Sequence, residues 1–313
     1  MRRSWSIGSV WGFPVRLHWS FLLVGWVVYS VAEQLGGSWP HYGWTILLIT
    51  GMFASVLAHE LGHALAARRF GHPTLDITLS PLGGLARMRG FPESPRHALL
   101  IAAAGPAVNF LLVIPLALSL IWFDPTATHW RITHGLDTWR IDAETLPFYL
   151  FAFNLLLAVF NLLPAFPLDG GRMLRALLRY RADRLTATRI ATRVGQLFGV
   201  VLIAVCVVSF GDWFGGTPWL GFGLFGGFLI YLGETEFRGL KRYERLRRTP
   251  VGQLPYQPLP AELLTNVPTF PITGSLLELL QQLDRAPAER VLLVEVDGAP
   301  VGILSIEILL DQL

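Results

Sequence analysis

The sequence is short of charge. Only 15% of its 313 residues are Asp, Glu, Lys or Arg, whereas 52% are hydrophobic; soluble domains carry about 25% charged residues. That deficit argues against a water-soluble enzyme. Cysteine is almost absent as well: Cys206 stands alone, so an intrachain disulfide is excluded, and it lies in an apolar run as a small filler. The first 17 residues lack the form of a cleaved leader, because Gly12, Pro14 and Arg16 interrupt them and no small-residue cleavage site follows promptly. What is abundant is unbroken apolar sequence. Residues 19–32, 43–58, 98–123, 146–168, 194–214 and 217–233 are mostly apolar, and with their flanks most approach the roughly 20 residues needed to cross a bilayer. The expected fold is therefore a polytopic α-helical membrane protein of about six transmembrane helices, the first being the shortest.

The few charges are distributed unevenly. With the N-terminus inside, segments 1–17, 68–97, 170–193 and 238–250 share one face and hold 21 of the 25 basic residues, while the opposite face holds only Arg131 and Arg140. The positive-inside rule then places both termini in the cytoplasm of a multi-pass cell-membrane protein. Trp39, Tyr42, Trp44, Trp122, Trp213 and Trp219 near the span ends fit an interfacial aromatic belt. From Val251 onward the balance reverses, with 8 acidic and 2 basic residues. The expected organisation is a transmembrane domain over 1–236, a basic juxtamembrane segment and linker over 237–262, and a small domain over 263–313. Arg238 to Arg248 reads as positive-inside topology with attraction to anionic lipid, so the partner expected there is the bilayer rather than nucleic acid.

Ionisable residues inside a span are expensive and mark functional candidates. The second span holds three of them: His59, Glu60 and His63 in AHELGHA. Positions i and i+4 share a helix face, so both imidazoles can reach one metal, with Glu60 beside it and free to handle a water. A zinc ion held this way polarises a carbonyl and lowers the pKa of a water to near neutrality, while the glutamate moves the proton to the leaving amine. Catalytic zinc takes a third protein ligand, and Asp169 in NLLPAFPLDGGR qualifies. His59 lies between two and three helical turns before Arg68, and Asp169 lies just before Arg172, so both fall toward the cytoplasmic side. Pro164 and Pro167 break the fourth helix and let Asp169 turn inward. A helix N-cap is the alternative role for Asp169.

HELGH together with NLLPAFPLDGG resembles the site-2 protease family of intramembrane zinc metalloproteases. PLGGLA (Pro81 to Ala86) is similar to that family's strand-forming loop, GPAVN (Gly105 to Asn109) to its signature in the third span, and GFPVRLHWSFLL (Gly12 to Leu23) to the start of the subgroup with a regulatory C-terminal domain. The resemblance implies His59, His63 and Asp169 as ligands to one zinc ion per chain, Glu60 as catalytic acid/base, and transmembrane proteins as substrates. It also implies that Asn161 holds the substrate backbone or the developing oxyanion. Asn109 is read as a bond between helices beside Gly105 and Pro106. Residues Leu75 to Arg89 alternate and contain Gly83 and Gly84, which predicts a β-hairpin whose edge pairs with an unwound substrate; a re-entrant hairpin that only closes the site to lipid is the alternative.

The tail reads as strand 267–271, helix 275–285, strand 290–296, an Asp297-Gly298 turn, strand 300–304 and helix 305–312, an order similar to one cystathionine-beta-synthase-type (CBS) repeat. Such repeats pair, so either 249–267 is a degenerate partner or two chains form a homodimer. The resemblance implies an adenine nucleotide between paired repeats, with Glu307 standing where the family's stretch has Asp. Two other classes of function remain open at this point: a metal transporter with an ion path through His and Asp, and a non-catalytic protein that binds transmembrane helices. A transport path needs no base beside a ligated metal, and the intact ligand set disfavours a non-catalytic role.

Overall fold

The structure, a computed structural model, describes residues 4–81, 83–88, 92–123, 141–209, 218–257, 267–285, 288 and 290–305. Two compact units divide the chain, Met1–Glu234 and Thr235–Leu313.

In the first unit, strands β1 (Ser4–Val10) and β2 (Phe13–His18) precede helices α1 (Leu22–Gln34) and α2 (Trp39–Arg69). Strands β3 (Thr74–Ser80) and β4 (Gly83–Met88) follow, then α3 (Pro95–Phe123), α4 (Leu146–Asn161), α5 (Asp169–Leu178), α6 (Arg184–Ser209) and the start of α7 (Pro218–Arg248). Three helices among the described residues are long and apolar enough to cross a bilayer: Trp39–Arg69, Pro95–Trp122 and Arg184–Val207; Leu146–Asn161 is apolar but shorter. The 31 residues of α2 extend about 46 Å at 1.5 Å per residue, so its histidines need not sit at the middle of a hydrocarbon core about 30 Å thick. Leu111, Ile114, Leu118 and Ile121 on α3 are exposed, an apolar outer face suited to lipid rather than to water.

The structure adds an element at the N-terminus that the sequence reading did not contain. Residues 4–18 form a β-hairpin, with Trp11 and Gly12 at positive φ (50° and 85°) in its turn, the backbone of a two-residue type I′ connection. It completes a four-stranded sheet in the order β1-β2-β3-β4, with β2 and β3 parallel (Val15 opposite Ile77, Leu17 opposite Leu79). The apolar run at 146–168 is broken where its prolines are expected to break it. α4 stops at Asn161, residues 162–168 turn, and α5 begins at Asp169, because Pro164 and Pro167 cannot continue the ladder. The expected hairpin at 75–89 is present as β3 and β4.

The sheet is held against α2 by its apolar side. Phe13 and Val15 of β2 and Ile77 and Leu79 of β3 form one buried cluster with Val56, Leu61 and Ala64 of α2. Directly before Ile77 on β3, Asp76 is buried and pairs with Arg87 of β4 and, at 3.6 Å, with Arg16 of β2. One carboxylate thus ties three consecutive strands.

In the second unit, β5 (Thr269–Pro271), α8 (Leu276–Arg285), β6 (Arg290–Val294) and β7 (Pro300–Ser305) form a three-stranded sheet with a helix. β5 and β6 are parallel, β6 and β7 antiparallel. The segment read as a linker contributes to this core: Val251 and Leu254 are buried with Phe270, Leu279, Leu293 and Leu304, and Gln257 bonds Ile303 backbone to backbone. The expected last helix and Glu307 lie outside the described residues, as do Arg131 and Arg140.

Candidate metal centre

Three residues from two elements far apart in sequence meet at one point. His59 and His63, one turn apart on α2, are 4% and 5% exposed, and Asp169, the first residue of α5, is 5% exposed. His59 Nε2 and His63 Nε2 are 3.1 Å apart, and each is 3.1 Å from Asp169 Oδ2. The remaining ring nitrogens are committed elsewhere. His63 Nδ1 lies 2.7 Å from the Ile101 carbonyl oxygen and His59 Nδ1 lies 2.6 Å from Asn109 Oδ1, both on α3. A backbone carbonyl only accepts, so the His63 proton is on Nδ1; with the Asn109 amide oxygen accepting likewise, both Nε2 atoms keep lone pairs. Two nitrogen lone pairs and a carboxylate oxygen converging in a buried site repel unless a cation lies among them, and these three are the donor types zinc takes. The residues present therefore fit a metal ion.

The glycines of the motifs make room for this arrangement. A methyl at Gly105 of α3 would overlap both imidazole Nε2 atoms, that of His59 at 2.8 Å. One at Gly62 of α2 would lie 2.8 Å from the Ala104 carbonyl oxygen, so the absence of a side chain there lets α2 and α3 come close enough for His59 and His63 to reach α3. At the start of α5, side chains on Gly170 or Gly171 would strike the backbone of the 162–166 turn that aims Asp169 inward. Arg172 Nη1 lies 3.8 Å from Asp169 Oδ1 at the rim.

Glu60, half-buried, is on the neighbouring face of α2. Its Oε2 accepts a 3.0 Å hydrogen bond from the Ala86 backbone N–H of β4. That strand is the edge of the sheet, so the amide points away from β3 and toward α2. A side chain at Gly84 would collide with the Glu60 carboxyl group, leaving glycine as the residue that fits beneath it.

The structure thus brings His59, His63 and Asp169 together, with Glu60 beside the strand edge. It does not bring Asn161 into hydrogen-bond contact with them: that amide, half-buried at the end of α4, donates to Leu157 O at 2.9 Å. The residue undervalued from the sequence is Asn109, fully buried and bonded to a metal-facing histidine. Its signal was the four-residue spacing from Gly105, which places it one turn from the imidazoles on the same α3 face.

Comparison with known proteins agrees with this geometry. The family model of peptidase family M50 matches residues 47–133 and 126–205. Rip3 of Mycobacterium tuberculosis is 38% identical over 234 residues, covering 71% of this chain and 56% of that protein. Zinc metalloprotease MJ0392 of Methanocaldococcus jannaschii is 32% identical over 209 residues, covering 67% and 56%. The chain therefore spans little more than half the length of these relatives. Among solved structures, the site-2 protease from Methanocaldococcus jannaschii superposes with a TM-score of 0.50 at 30% identity, over 75% of this chain and 95% of that one. The matched segments contain the two histidines, the strand edge, the α3 glycine and the α5 aspartate, and on that footing the chain belongs to peptidase family M50, the site-2 protease family.

Proposed function

We propose that this chain is a zinc metalloprotease of membranes that hydrolyses a peptide bond in or beside a transmembrane segment of another protein. The observation that carries the reading is the triangle of His59 Nε2, His63 Nε2 and Asp169 Oδ2 with Glu60 held at a free strand edge. The similarity to a zinc metalloprotease and to a site-2 protease structure supports the same chemistry. His59, His63 and Asp169 would hold the zinc ion, which would supply Lewis acidity toward a scissile carbonyl and toward an attacking water.

The remaining steps belong to the chain's own groups. Glu60 takes the proton of the attacking water and delivers it to the leaving amide nitrogen as the C–N bond breaks. β4 offers its outer edge to an extended substrate segment, so that backbone pairing sets the register of the cut. Asn161 spends one amide N–H on Leu157 and has a second for the substrate carbonyl or oxyanion. The three long apolar helices α2, α3 and α6 support a membrane-spanning domain, in which α1, α4 and α7 are read as the further spans and both termini as cytoplasmic. The strand-helix-strand-strand order of the second unit supports a CBS-type repeat, hence a regulatory domain, pairing of two copies and an adenine-nucleotide site between them.

The decisive test is Glu60→Gln in the full-length protein with a transmembrane substrate. Cleavage is expected to fall at least about 100-fold, the usual contribution of a general base, with zinc content unchanged. Cleavage at the wild-type rate would falsify the assignment.

A further inference from the structure

Behind the metal ligands lies a run of buried polar side chains that takes no part in the reaction. Asn109 is fully buried, Asn154 of α4 is 1% exposed and Ser55 of α2 is 7% exposed. Asn109 Nδ2 donates to Asn154 Oδ1 at 2.9 Å. Asn154 Nδ2 donates to the Leu150 carbonyl at 2.9 Å and to Ser55 Oγ at 3.0 Å. Ser55 Oγ in turn donates to the Gly51 carbonyl at 2.9 Å.

This run has a direction, and its direction is set by the two groups at its far end. Carbonyl oxygens accept and never donate. Against Leu150 O, Asn154 must therefore place its amide nitrogen, which leaves Oδ1 facing Asn109. Ser55 gives its proton to Gly51 O and so receives the second Asn154 N–H on a lone pair. Asn109 meets an acceptor at Asn154 and must offer it nitrogen, which turns the Asn109 oxygen toward His59 Nδ1. An acceptor there holds the single proton of a neutral imidazole on Nδ1 and leaves the Nε2 lone pair facing His63 and Asp169. Turning either amide over would set oxygen against oxygen, or donor against donor, in a buried site where an unmade hydrogen bond is costly.

We propose that Asn154, supported by Ser55, is a positioning residue that fixes the orientation of Asn109 and through it the metal-binding tautomer of His59. The inference rests on the reading of the triad as a zinc site, and not on proteolysis. It assigns a role in metal affinity to a residue one helix removed from the metal, on the face of α4 that packs against α2 and α3.

The test uses full-length protein in detergent and measures zinc affinity by chelator competition. Asn154→Leu keeps the branch point and the heavy-atom count and removes every polar bond of the side chain. Its zinc affinity is expected to fall about 10- to 100-fold, the usual effect of losing a partner behind a ligand, and the visible spectrum of the cobalt-substituted protein is expected to shift. Asn154→Ala severs the same bonds with the best helix-forming residue and serves where leucine disturbs packing. Wild-type zinc affinity in either folded variant overturns the proposal. A double-mutant cycle separates positioning from packing damage: with Asn109→Leu already present, Asn154→Leu is expected to cost no further zinc affinity, because the relay is already cut. Additive losses in the double variant overturn it. Wild-type protein that binds no zinc removes the metal reading and this inference together, whereas zinc-binding wild type with an indifferent Asn154 removes the inference alone.

Discussion

Gly105 illustrates how much a single missing side chain decides. The space its Cβ would fill is taken by the Nε2 atoms of two histidines, so Gly105→Ala is expected to push the imidazoles off their common point. Zinc per chain, measured by elemental analysis, should fall well below one. Stoichiometric zinc with wild-type cleavage would show that α3 yields instead. At this scale the sequence marks the proposed ligands but not their support. His59, Glu60 and His63 follow from helical spacing alone, and Asp169 follows from the proline-broken end of an apolar run. Asn109 and Asn154 were opaque, because an amide within an apolar helix reads the same whether it bridges helices or orients a ligand. Only its partner distinguishes the two.

At the scale of elements, the sheet matters more than its small size suggests. It supplies the edge that touches Glu60, and β2, β3 and β4 are tied by Asp76. The Arg87 guanidinium beside Asp76, with Arg16 adding to it, holds that carboxyl below the ordinary carboxylate range. Asp76→Asn is expected to destabilise the first unit by on the order of 1–3 kcal/mol, the worth of hydrogen bonds to a charged group, read as a lower unfolding temperature at neutral pH. The sign of the pH dependence follows from the depressed pKa. The stabilisation is fully present above the unfolded value of about 3.9 and is lost as pH falls through the lower folded value. The gap between wild type and variant should therefore be constant near neutrality and close only under acid conditions. A gap that opened toward acid would contradict the pairing. The β3–β4 hairpin was legible from its alternation and its Gly83-Gly84 pair. The N-terminal hairpin was readable in principle from Phe13, Val15 and Leu17 alternating after Trp11-Gly12, but its pairing of β2 with β3 spans about 60 residues and leaves no local trace.

For the whole molecule, the charge asymmetry is the feature that carries a prediction. Cys206 is the sole cysteine, so Cys206→Ala gives a background free of thiols. In intact cells a membrane-impermeant maleimide should label Ser38→Cys, which precedes α2, and leave Arg181→Cys, beyond α5, unlabelled. Inside-out vesicles should reverse the pattern. Equal labelling from one side would overturn the topology drawn from the arginines. The second unit was largely visible in advance, since its strands and helix are short, regular and separated by turn residues. What escaped notice is that Val251 and Leu254, in a stretch rich in proline and glycine, belong to its core: composition reports the chance of a turn, not what a turn packs against.

The sequence by itself determined where apolar helices can form and which residues share a helix face. Hydropathy dictates where helices can lie in lipid, and helical periodicity places two histidines on one face, and neither depends on distant contacts. Tertiary structure decided what makes those residues a site. The approach of α2 to α3 at Gly62, the turn of α5 at Asp169 and the reach of β4 to Glu60 join residues up to 110 positions apart. Whether the His59 ring can present a lone pair at all depends on hydrogen bonds that end at two backbone carbonyls, and those become partners only when the helices pack.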